Sequence, residues 1–85
     1  GWQTVSSSDI PFNVEDVKPI ALSKKQIINT IEAFKQATRR AIEAGYEIIE
    51  LHGAHGYLIH QFFSPLINNR TDEYGGSFEN RIRFV

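Results

Sequence analysis

The chain has 85 residues, a formal net charge of −1, and neither cysteine nor methionine. A length of this order supports one small domain with a modest core. Interspersed acids and bases leave no basic stripe for nucleic acid and no polybasic patch for a membrane surface. No apolar run approaches the roughly 20 residues of a membrane span, and no signal-peptide pattern opens the chain. Without cysteine there are no disulfides and no thiolate metal ligands, a composition compatible with a cytoplasmic protein. Gly1-Trp2 at one end and Arg83-Phe84-Val85 at the other read as the cut ends of a piece of something larger.

Residues 1–22 combine Ser6-Ser7-Ser8, Pro11 and Pro19 with scattered apolar side chains and show no helical or strand period. They are expected to form an irregular loop, of a length at which ordered loops tend to act as lids or binding loops. From Ser23 the pattern changes. Ser23-Lys24-Lys25-Gln26 fits a capping box, and apolar residues recur at Ile27, Ile31, Phe34, Ala37, Ala41 and Ala44. An amphipathic helix over 23–45 follows, with Gly45 suited to a positive φ at its end.

Tyr46 to His52 is short, apolar and bounded by Gly45 and Gly53, which predicts a buried strand. Alternation would put Ile48, Glu50 and His52 on one face and Ile49 and Leu51 on the other. Residues 53–76 form a loop in which 54–63 can make a short helix stopped at Ser64-Pro65. Ser77 is a candidate N-cap for a helix that starts over 77–85 and carries Phe78, Ile82 and Val85. Loop, helix, strand, loop and helix make one unit of an alternating α/β fold.

Three of the polar residues in this stretch invite chemistry: His52, His55 and Tyr57, with His60 close behind. Histidines near a strand end are commonly surface or packing residues. A His-x-x-His pair could also ligate zinc or iron, but no HExxH motif or facial-triad carboxylate accompanies it. In a third reading, two neutral imidazoles each offer an N–H to a carbonyl oxygen and stabilise charge developing there. Tyr57 would then deliver a proton nearby, and Gly53, Ala54 and Gly56 would leave room for a flat ligand. The C-terminal end of a parallel strand is where ligands bind in α/β folds.

His52-Gly-Ala-His55-Gly-Tyr57-Leu is followed by Gln61-Phe-Phe-Ser-Pro65-Leu, Asn69-Arg70-Thr-Asp72-Glu-Tyr74-Gly-Gly76-Ser and Glu79-Asn80-Arg81-Ile-Arg83-Phe84. Together these closely resemble the Old Yellow Enzyme family, and the histidine at position 55 resembles its bacterial NADPH dehydrogenase branch. Ser7-Ser8-Asp9-Ile10-Pro11 is a looser match to the family's Pro-Ser-Ala-Ile-Pro segment, departing at Ser7 and Asp9.

The resemblance implies a fragment of a (β/α)8 TIM barrel around its fourth strand, with the rest of the barrel required for activity. It implies an FMN-dependent oxidoreductase, reduced by NADPH or NADH, acting on small-molecule enones or nitroalkenes. By the same resemblance, His52 and His55 bind the substrate oxygen, His52 also touches the pyrimidine edge of FMN, and Tyr57 is the catalytic proton donor. No metal is implied, and self-association of the parent is left open. Asn69, Arg70, Asp72, Tyr74 and Arg81 are expected to hold the loop in shape, and His60 carries no family role. Two alternatives stand beside this reading: a non-catalytic or metal-binding α/β domain using the same histidines, and a flavoenzyme similar to the dienoyl-CoA reductases.

Overall fold

A computed structural model describes residues 1–85. In chain order the elements are β1 (Val5–Ser6), β2 (Ile20–Ala21), α1 (Lys24–Glu43), α2 (Leu58–Phe63) and α3 (Phe78–Ile82). They fall into two compact units, one made of Gly1–Leu22 with Gly53–Val85 and the other of Ser23–His52. No helix is long and apolar enough to cross a membrane.

The second unit is α1 and the segment after it. Ser23 Oγ accepts the Gln26 N–H at 3.2 Å, and Gln26 Oε1 accepts the Ser23 N–H at 2.8 Å, so two donors left over at the helix start are satisfied reciprocally. The helix closes at Ala44, and Gly45 follows at φ 97°. Ile27 is the buried side chain of this helix, while Ile28 and Ile42 are both exposed.

Residues 46–52, expected as a strand, take part in no ladder: the sheet consists of β1 and β2 alone. A strand is held by a partner's backbone groups, and this chain supplies none to 46–52. Ile48 and Glu50 are accordingly exposed, so the inner face that alternation assigned to Glu50 and His52 is not built within the chain. The first segment differs from expectation in the other direction. Instead of being wholly irregular, it pairs with itself in a two-residue parallel ladder, Val5 with Ile20 and Ser6 with Ala21.

The first unit is assembled from two stretches distant in sequence, and polar groups do much of the joining. Ser6, Ser7 and Ser8 are buried, beside the apolar core of Leu22, Ile59, Phe62 and Phe84. Ser7 Oγ donates to the Gln61 carbonyl at 2.7 Å, and Ser8 Oγ accepts the Asn69 N–H at 3.0 Å. Arg70 makes the densest set of contacts. Its guanidinium grips Asp72 through Nε–Oδ1 at 3.0 Å and Nη2–Oδ2 at 2.6 Å, and Nη1 donates to the carbonyls of Ser7 and Leu22. Its charged carbon lies 5.9 Å from the Phe62 ring centre, within cation–π range. Phe62 in turn stacks on Phe84 at 4.5 Å and meets Tyr74 edge-on at 6.4 Å.

Asn68 keeps the 64–74 loop tight, donating to the carbonyls of Phe62 and Tyr74 and accepting the Arg70 N–H. Gly75 is needed here because the loop passes so close to itself. A Cβ at this position would stand 2.3 Å from the Arg70 carbonyl oxygen. Arg81 then ties α3 to the end of α2 through the Phe63 carbonyl at 2.8 Å.

The Arg70 side chain is only 10% exposed and that of Asp72 24%, so losing the guanidinium breaks a partly buried ion pair and takes a donor from two carbonyls. Arg70→Met is expected to destabilise the full-length protein by about 1–3 kcal/mol in chemical denaturation. Adding Asp72→Leu should recover only part of that, because the Ser7 and Leu22 carbonyls stay unpaired. Full recovery in the double variant would show that the ion pair alone matters.

Candidate functional site

His55, Gly56 and Tyr57 form the bend that leads into α2. The Tyr57 N–H reaches back to the Ala54 carbonyl at 3.3 Å, closing a four-residue turn. Its two central residues both have positive φ, 57° at His55 and 76° at Gly56, as in the mirror-image type I turn. Glycine takes this conformation without penalty, whereas a side chain costs about 1–2 kcal/mol there. His55 is the only non-glycine residue of the chain with positive φ. Backbone strain of this kind persists where surrounding contacts over-determine it, and it concentrates at functional sites.

Those contacts come from α2. The N-cap, Tyr57, makes no side-chain capping bond. In its place, His60 Nδ1 accepts the Gly56 N–H at 2.8 Å, and Gln61 Nε2 donates to the Gly56 carbonyl at 2.7 Å. Accepting that N–H keeps the proton off Nδ1, so a neutral His60 ring carries it on Nε2.

His55 and Tyr57 are both exposed, and Tyr57 keeps 65% of its surface accessible. Together with His60 they belong to the first unit, while His52 is exposed at the end of the second. Tyr57 also lines a groove of about 620 Å³ with Gln61, Val5, Ile10, Phe12 and Val17. That volume is within the range of small-molecule pockets. The walls from the first segment had no motif to announce them; only the length of that loop hinted at a role. No cluster of three or more His, Cys, Asp or Glu side chains is arranged to hold a metal ion.

The strain at His55 makes a prediction that depends on backbone and not on imidazole chemistry. His55→Asn, which tolerates the left-handed region, should change stability by no more than about 0.5 kcal/mol. His55→Val, branched at Cβ, should lose about 1–3 kcal/mol. Thermal melts of the full-length variants would distinguish the two, and equal losses would mean that the turn does not depend on this conformation.

The model of the NADH:flavin oxidoreductase / NADH oxidase family matches residues 3–85. The NADPH dehydrogenase of Bacillus cytotoxicus is 59% identical over 81 residues, covering 95% of this chain and 23% of that protein. Those of Bacillus velezensis and Bacillus subtilis are 60% and 55% identical over 78 residues, each covering 92% of this chain and 23% of the relative. The chain thus spans about a quarter of the length of the curated relatives it matches. It belongs to the NADH:flavin oxidoreductase / NADH oxidase family.

Proposed function

We propose that the full-length protein is an FMN-dependent NAD(P)H oxidoreductase that reduces the activated C=C bond of α,β-unsaturated carbonyl or nitro compounds. The observation that carries this reading is the strained 54–57 turn, which presents an imidazole and a phenol, both exposed, two residues apart. Within that protein, 46–52 would be the fourth strand of a (β/α)8 barrel, gaining its ladder partners from neighbouring strands. The turn would then lie at the C-terminal end of that strand, the catalytic face of such barrels.

The donor set suits a flavin and an oxygen-bearing substrate. Neutral imidazole offers one N–H per ring, and the exposed His52 would hold the pyrimidine edge of FMN in this way. The chemistry supplied by bound FMN would be two-electron redox exchange between NAD(P)H and the activated alkene. His52 and His55 would donate to the substrate oxygen, orient the alkene, and stabilise negative charge that develops on that oxygen. Tyr57, which lines the groove, would give its phenolic proton to Cα.

The roles of the pair and the phenol separate in time, which provides the test. Tyr57→Phe should slow reoxidation of the reduced protein by an enone by about 10²–10⁴, the usual contribution of a general acid. It should leave reduction by NAD(P)H unchanged, because no substrate carbon is protonated in that half-reaction. Stopped-flow absorbance on the full-length protein resolves the two. Equal slowing of both would show that Tyr57 shapes the pocket and that the proton comes from solvent.

A further inference from the structure

The imidazole of His60 has no part in the reaction just described, yet it makes a specific bond at the centre of the turn. The N–H of Gly56 and the carbonyl of His55 share one peptide plane, and the carbonyl of Gly56 and the N–H of Tyr57 share the next. His60 Nδ1 fixes the first plane and Gln61 Nε2 the second. The planes on both sides of Gly56 are thereby held, one setting ψ of His55 and the other φ of Tyr57. Gln61 keeps this orientation even though its Oε1 is buried with no hydrogen-bond partner. The Ser7 hydroxyl bonds to the Gln61 carbonyl at 2.7 Å and so braces the helix that carries both clamping side chains.

We infer that His60 is a positioning residue for the reaction, acting through Gly56 to hold His55 and Tyr57 in their working directions. The inference rests on the functional reading above. Its physical basis is a near balance. The left-handed cost at His55 and the worth of one hydrogen bond are of similar size, so removing the bond lets the His55–Gly56 plane turn and the imidazole swing away. What matters in His60 is an acceptor at the δ position. An asparagine supplies one in Oδ1, close to where Nδ1 stands, while a glutamine carries its polar atoms one bond further out.

The experiment uses the full-length protein with His60→Ala, His60→Asn and His60→Gln. It measures FMN content, the Kd of a simple phenol by flavin difference absorbance, both half-reactions, and hydrogen exchange of the Gly56 amide. His60→Ala is expected to retain FMN, to bind the phenol about tenfold more weakly, and to exchange Gly56 about tenfold faster, the equivalent of one hydrogen bond. His60→Asn should restore both to within about twofold, and His60→Gln should not. If His60→Ala fails to fold, the Asn and Gln variants make the same comparison. Unchanged phenol binding in His60→Ala would overturn the inference, as would equal impairment of all three variants, which would mean that the imidazole itself meets the ligand. If the unaltered protein holds no flavin, the functional reading fails separately, and the Gly56 exchange rates still report whether the clamp exists.

Discussion

The Arg70–Asp72 pair, with the two carbonyls that Arg70 also reaches, holds together the unit on which everything else depends. Residues 1–22 and 53–85 are far apart in sequence, and a two-residue ladder within the first stretch cannot join it to the second. One guanidinium does so by donating to Ser7 and Leu22 on one side and to Asp72 on the other. Arginine suits this task better than lysine because its planar fork serves a carboxylate and carbonyls at once. The same group covers the face of Phe62, linking the polar join to the apolar core.

From that join a line of bonds runs to the candidate site. Ser7, whose carbonyl is held by Arg70, donates its hydroxyl to Gln61. Gln61 and its neighbour His60 grip the two sides of Gly56, and Gly56 separates His55 from Tyr57. Each member is modest by itself, but the series sets the direction of two side chains that a flexible glycine turn would otherwise leave loose. The strained φ at His55 is the local cost of that arrangement. Without the two bonds to Gly56 a relaxed turn would be favoured and would aim the imidazole elsewhere.

What could be read from the sequence was the locally encoded part. Ser23 with Gln26 marks the start of α1 and Gly45 its end, because capping depends on residues three or four positions apart. Ser77 likewise caps α3, accepting the Asn80 N–H at 3.2 Å. The β1–β2 ladder escaped notice because two residues are too few to show a period, and their partners lie fifteen positions away. Residues 46–52 show the opposite case: their pattern is that of a strand, but a ladder needs partners that the local sequence cannot supply. At the site, the motif drew attention to His52, His55 and Tyr57, while His60 was read as a residue without a role in the chemistry. Its signal was present in the spacing, since a histidine four residues after a glycine at an uncapped helix start can reach back to that N–H.

The proposed electron flow in the full-length protein runs from a nicotinamide through a flavin to an activated alkene. Its most direct test is the visible absorption spectrum of the purified full-length protein under anaerobic conditions, recorded before and after NADPH and again after an enone. Oxidised-flavin bands that NADPH bleaches and that the enone restores without oxygen are the expected result. A colourless protein carrying stoichiometric zinc or iron, or a flavin that NADPH bleaches and no enone or nitroalkene restores, would contradict it.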